Sequence, residues 1–212
     1  MPYFLYLFLR WCPGVIGILL RQKLYRRLLR GCGRNVLIGR YVDLKNPGAI
    51  TLGDSVILND YACLDGSQYS GIGMAITLGN KVFVGASTTL TAGPGKMLIA
   101  ESSNIGSNCT LSARYHDLKL EHHALLAGFC RVGSEILEIQ SVSEEMSPLI
   151  GQATDIHTHL GSGCWLGLRC QISSGLEIGE GSIVGAHSLV TQSVPAYAIA
   201  FGQPAKVIRN RP

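Results

Sequence analysis

From residue 32 onward an aliphatic residue recurs every six positions, and this period constrains the fold more than any other feature of the chain. The cleanest run is Leu160-Gly161, Leu166-Gly167, Ile172-Ser173, Ile178-Gly179, Val184-Gly185 and Val190-Thr191, all in one phase. Four residues after most of these anchors stands a small or β-branched residue: Cys164, Cys170, Ser182, Ser188 and Val194, with Leu176 the exception. The same spacing appears at Cys32, Ile38 and Leu44, at Leu52, Leu58 and Leu64, at Leu78, Val84 and Leu90, and at Ile105 and Leu111. Six is neither the period of a helix nor the simple alternation of a strand. It describes a short strand with one inward aliphatic side chain, then a corner needing a small side chain and a permissive backbone. Three such steps make one triangular coil. Extra residues enter after the hexads at 44, 64 and 90, always the third of a group, and a long insertion, 118–159, follows the hexad at 111. Insertions at one corner are what a solenoid predicts, because its loops leave from one edge.

Composition agrees with this reading. Glycine makes up 26 of 212 residues, and charged residues only 15%. Glycine does not recur every third residue, which excludes collagen, and the aliphatic content excludes long disorder. The net charge of +4 hides an asymmetry. No acidic residue precedes Asp43, yet eight of the 18 basic residues do: Arg10, Arg21, Lys23, Arg26, Arg27, Arg30, Arg34 and Arg40. Ten basic and 14 acidic residues remain for the rest. The basic residues are not interleaved with a stacking platform, so nucleic acid is not an expected partner. Seven cysteines without CxxC spacing argue against a disulfide framework or zinc ribbon and for a reducing compartment. A structural reading, packed corner residues, fits Cys109, Cys164 and Cys170.

Residues 1–31 form a separate hydrophobic and basic segment. Tyr3 to Leu20 is apolar but broken by Arg10 and Pro13-Gly14, which makes it marginal as a spanning helix. Arg21 to Arg30 reads as a basic amphipathic helix ended by Gly31. Together they have the composition of an interfacial anchor on an anionic, cytoplasmic leaflet. The competing reading is a helix that caps the open end of the solenoid.

The hexads, with Val184-Gly-Ala-His-Ser-Leu-Val-Thr191 and Gly202-Gln-Pro-Ala-Lys-Val-Ile-Arg209, resemble the hexapeptide-repeat acyltransferases. The resemblance covers residues 32 to 209 and is most similar to the sugar and polysaccharide O-acetyltransferases. It implies an all-β, left-handed parallel β-helix over 32–194, a tail at 195–212 that completes a coenzyme A site, and a homotrimer with sites between subunits. It further implies transfer of an acetyl group from acetyl-CoA to a sugar hydroxyl in cell-surface polysaccharide synthesis. The family places a histidine base where a coil gives way to an excursion, often followed by aspartate. His116-Asp117 matches that arrangement, and an imidazole titrating near neutrality suits deprotonation of an attacking hydroxyl. Asp117 either orients the ring or caps the turn. For coenzyme A the resemblance points to Trp165, Leu168, Ala186 and Thr191, with Lys206 and Arg209 as fixed charge for phosphates. Gln192 stands where the family often has lysine.

Four other histidines belong to the insertion, His122-His123 and His157-Thr-His159, and His187 is expected to project outward without a role. The alternatives are a zinc site like that of the hexapeptide-repeat carbonic anhydrases, with histidines shared between chains, and a non-catalytic scaffold. The ligand spacing of those anhydrases is not reproduced, so no metal is expected.

Overall fold

The computed structural model describes residues 8–69, 71, 73–114, 116–134 and 157–211. These build a triangular prism of stacked coils, each contributing one short strand to each of three parallel faces. Face A begins at Gly31–Cys32, face B at Leu37–Ile38 and face C at Asp43–Lys45, and each coil repeats that order. Seven coils are complete among the described residues, ending with Glu177–Ile178, Ile183–Val184 and Leu189–Val190. The chain then adds Ala198–Gly202 to face B and folds back antiparallel through Ala205–Asn210. The tail expected at 195–212 therefore extends the solenoid wall.

The period of six is the period of burial. Ile38, Leu58, Val84, Ile105, Leu126, Leu166 and Val184 stack as one inward column of face B, each essentially without solvent contact. The small fourth residues are equally buried at the corners, among them Cys109, Cys130, Cys164, Cys170 and Ser188.

Two expectations are corrected. The long insertion does not begin at 118: Asp117–Leu120, Leu125–Leu126 and Arg131–Ser134 form a regular coil, with Leu120, Leu126 and Val132 as its buried anchors. They are hexads of which the first two anchors are followed by Glu121 and Ala127 instead of glycine. Residues 135–156, with Glu135, Glu138, Glu144, Glu145 and Ile150–Asp155, lie outside the described residues, and His157–Leu160 is a face A strand. The glycines also serve a different purpose from the expected one. The left-handed station of the corners is filled mainly by other residues, including Tyr41, Tyr61, Ser87, Asn108, Phe129, Arg169 and His187. Glycine instead follows the anchor, where coils approach most closely. A Cβ on Gly167 would stand 2.6 Å from the Ala186 amide nitrogen, and one on Gly106 2.6 Å from that of Gly128.

The N-terminal segment caps the prism at coil 1. Residues 8–11 are helical, Pro13-Gly14 breaks the chain, and α1 runs Gly14–Tyr25. The expected helix over 21–30 is thus shifted, because the run that follows Pro13 is continuous only to Tyr25 and 26–30 is a turn. Leu9, Tyr25 and Leu29 close the open end. Arg21 points into this contact, 1% exposed, and donates hydrogen bonds to the carbonyls of Ile38 (2.8 Å), Leu9 (2.9 Å) and Cys12 (2.7 Å). Coils 1 and 2 are further pinned by one ion pair at each corner: Arg34–Asp54 (3.3 Å), Arg40–Asp60 (2.9 Å) and Lys45–Asp65 (3.0 Å).

Candidate active site

The corner between faces C and A carries every irregular connection, as an edge of excursions should. Coil 4 ends at Ala113 and coil 5 begins at Asp117 on this edge, and the chain leaves the same edge after Ser134 and returns at His157. His116 is half-buried there. Asp117 opens the next face A strand, and its Oδ1 accepts the Lys96 amide proton at 2.7 Å. Asp117 lies directly beside His157 in the parallel register. So His116, Asp117 and His157 gather where the excursion returns, although the excursion itself starts one coil beyond the point the hexads suggested. Nothing in the sequence shows that His157 stands beside Asp117, because Leu120 and Leu126, anchors of the coil between them, lack a following glycine.

The other histidines are held differently. His122 and His123 are exposed at the corner between faces A and B. His159 has both ring nitrogens near carboxylates, Nε2 at 3.3 Å from Glu121 and Nδ1 at 3.5 Å from Glu177. Lys119, at 2.6 Å, holds the Glu121 carboxyl below the usual range, with help from His159 and against the effect of burial. A cavity of about 540 Å³ opens beside this cluster, lined also by Ser162, Glu180 and Ser193. Sequence reasoning missed Glu121 and Glu177. Glu177 is the register partner of His159 one coil on, whereas Glu121 stands two positions beyond Lys119, the partner on the preceding coil. Among the described residues no group of three or more His, Cys, Asp or Glu is placed to hold a metal ion.

The residues singled out for coenzyme A lie elsewhere on the prism. Leu168 and Ala186 are exposed at the corner between faces B and C, on adjacent coils, and the His187 amide donates to the Leu168 carbonyl at 2.7 Å. Trp165 is 50% exposed on face B. Its register neighbours in turn are Ile183, Ile199 and Arg209, a single transverse column. Three steps of one strand spacing put Arg209 about 14 Å from Trp165. Lys206 pairs with Phe201 on the same hairpin, and both basic side chains are exposed. Thr191 follows the last face C strand and lies on the edge of His116, apart from Leu168 and Ala186. Within one chain, then, the histidine edge and the Leu168–Ala186 edge are different corners of the prism.

The thiols stack inside. Cys130 donates to the Gly167 carbonyl at 3.1 Å and Cys170 to the Gly185 carbonyl at 3.0 Å. Burial pushes the Cys164 thiol up to about 12, so it is not a thiolate at neutral pH.

The polysialic-acid-specific acetyltransferase NeuO superposes with a TM-score of 0.63 at 20% identity, over 84% of this chain and 80% of that one. AntD, an N-acyltransferase from Bacillus cereus solved with a dTDP-amino sugar and coenzyme A, superposes with a TM-score of 0.59 at 22% identity, over 91% and 89%. The fold is that of the hexapeptide-repeat acyltransferases. It is therefore a left-handed parallel β-helix, against the usual right-handed crossover. In sequence, a probable acetyltransferase of Mycobacterium tuberculosis is 27% identical over 143 residues, 64% of this chain and 44% of that protein. A chloramphenicol acetyltransferase of Morganella morganii is 44% identical over 54 residues, 26% of each chain. The chain thus matches less than half the length of these relatives. No family model matches it.

Proposed function

We propose that this protein is an acetyl-CoA-dependent O-acetyltransferase acting on a sugar hydroxyl in cell-surface polysaccharide synthesis, with His116 as general base. One observation carries the reading: a half-buried histidine, followed in sequence by Asp117, stands on the excursion edge of an acyltransferase solenoid. The imidazole takes the hydroxyl proton as the oxygen attacks the thioester carbonyl. Collapse of the tetrahedral intermediate expels the thiolate, which receives the proton back from the imidazolium. No covalent enzyme intermediate is required, in keeping with buried, carbonyl-bonded cysteines.

The donor lies along Leu168 and Ala186, with Trp165 as a wall, and Lys206 and Arg209 neutralise its phosphates. In support, Leu168 and Ala186 form an exposed corner, the adjoining face B column from Trp165 ends in Arg209, and Lys206 is exposed on the same hairpin. Because the histidine edge and this corner differ within one chain, the site is completed between subunits of a homotrimer, with Thr191 on the histidine side. The exposed apolar residues Leu37, Leu125 and Trp165 on face B suit such a contact. The unpaired thiols fit the cytoplasmic side of a membrane.

The test is release of free thiol from acetyl-CoA across a panel of nucleotide sugars and glycans. His116→Ala should lower turnover roughly 10²–10⁴-fold with the protein still folded. Full turnover in His116→Ala, with loss in His157→Ala, would transfer the role to His157. Absence of turnover with every acceptor, together with no coenzyme A binding by calorimetry, would leave a scaffold.

A further inference from the structure

An ordinary cap on a solenoid turns its apolar face to the core and its charges to water. α1 does bury Tyr25 and pack Leu20 and Leu24 on the core, yet it is apolar on its outward side as well. Its interior face carries the guanidinium of Arg21, satisfied by three carbonyls, while Val15 and Ile16 are 71% and 70% exposed and Leu19 57%. Phe8 and Trp11, from the turn before Pro13, are also exposed, with ring centroids 6.4 Å apart. At 100° per residue Val15, Leu19 and Lys23 share one stripe, with Ile16 on its flank and Arg26 at its end. The outward stripe therefore begins aliphatic and ends cationic. Lys23, Arg26, Arg27 and Arg30 are all exposed, and among the described residues none of them forms a salt bridge. No acidic residue precedes Asp43. No described helix is long and apolar enough to cross a membrane.

We propose that this outward face docks on the surface of an anionic phospholipid bilayer. Phe8, Trp11, Val15, Ile16 and Leu19 enter the headgroup–acyl boundary, and Lys23, Arg26, Arg27 and Arg30 meet the phosphates. An aromatic pair beside aliphatic side chains suits that boundary, where tryptophan is enriched. The four cations decide between occupants. A second copy meeting this face symmetrically would set them against their own kind, whereas lipid phosphates complement them. This inference stands apart from the acyl-transfer reading, since it rests on the opposite end of the prism from Lys206 and Arg209.

The experiment is co-sedimentation of the full chain with phosphatidylcholine vesicles, with and without a quarter of phosphatidylglycerol, alongside acyl transfer to a soluble acceptor without vesicles. Binding is expected to the anionic vesicles and to weaken as salt rises. Each cation removed should cost roughly five-fold, so a Lys23→Ala, Arg26→Ala, Arg27→Ala triple variant should lose binding and its salt dependence. Ile16→Glu with Leu19→Glu should abolish binding with an unchanged unfolding midpoint, because both side chains already face water. Equal binding by these variants, or no binding by the wild type, overturns the proposal. So does a larger assembly in gel filtration that Ile16→Glu with Leu19→Glu dissolves, which would make a second copy the occupant. Vesicle binding without acyl transfer would sink only the enzymatic reading, and the converse only this one.

Discussion

Replacing Arg21 with methionine tests what holds the cap to the solenoid. The guanidinium is 1% exposed and its three bonds, at 2.7 to 2.9 Å, tie residues 9 and 12 of the cap to Ile38 in coil 1. Methionine fills similar volume but leaves three buried carbonyls without a donor, at about 1–3 kcal/mol each. Against that, a cation no longer has to be desolvated, a saving of several kcal/mol; that same desolvation lowers the Arg21 pKa below its ordinary value. The balance is a loss of about 2–4 kcal/mol. Each coil of a solenoid contacts only its neighbours, so the loss should stay local. Hydrogen exchange should show faster amides through residues 8–30 and in coil 1, with the coils beyond His157 unchanged. Arg21→Lys should recover part of the protection, since one ammonium cannot span three carbonyls held in a fork. Unchanged exchange in the cap of Arg21→Met would refute the claim that these bonds anchor it. Uniform loss of protection in every coil would refute the claim of locality.

Other consequences follow from the geometry. Gly167→Ala forces the Ala186 backbone outward by several tenths of an ångström, which should cost about 1–3 kcal/mol in denaturant unfolding and raise KM for acetyl-CoA. Lys206→Ala and Arg209→Ala should each weaken coenzyme A binding about ten-fold in calorimetry while kcat changes little. Burial works against the charged forms of Asp60 and Asp65, but hydrogen bonds from Arg40, and from Ser67 and Lys45, hold both carboxyls below their ordinary range. Depressed carboxyls bind fewer protons folded than unfolded, so their contribution is complete above about pH 4 and is lost as pH falls further. Replacing Asp60 with asparagine should flatten the acid limb of a stability profile, and an unchanged limb would count against it. Thiol titration of the native protein should find no reaction at Cys109, Cys130, Cys164 or Cys170 within the time that labels them all in denaturant.

The stacking of the coils is legible in the sequence because it rests on repetition, whereas the neighbours of each side chain are not. Leu168 and Ala186 are three hexads apart in the sequence, and they stack on one corner of adjacent coils. The 118–134 coil is harder to see in the sequence, because Leu120 and Leu126 are buried by their own apolarity although no glycine follows either of them. His159 looked like His157, two residues before it. Only their neighbours separate them: Glu121 and Glu177, from the coils on either side, stand against His159, whereas Asp117 is the register partner of His157.

The sequence alone determined a three-faced solenoid with its loops on one edge, because burial of one side chain per strand is a local demand that recurs every six residues. It also held the charge asymmetry that sets the first 42 residues apart. Tertiary structure decided which way those residues face. Helical periodicity shows that α1 has two sides, but only the carbonyls of Leu9, Cys12 and Ile38 draw Arg21 inward and leave Val15, Ile16 and Leu19 in water. Likewise the abundance of glycine is a property of the sequence, and its reason is a property of the stack. Glycine sits where the next coil's backbone comes too close for a methyl group, and that distance exists only once the coils are laid on one another.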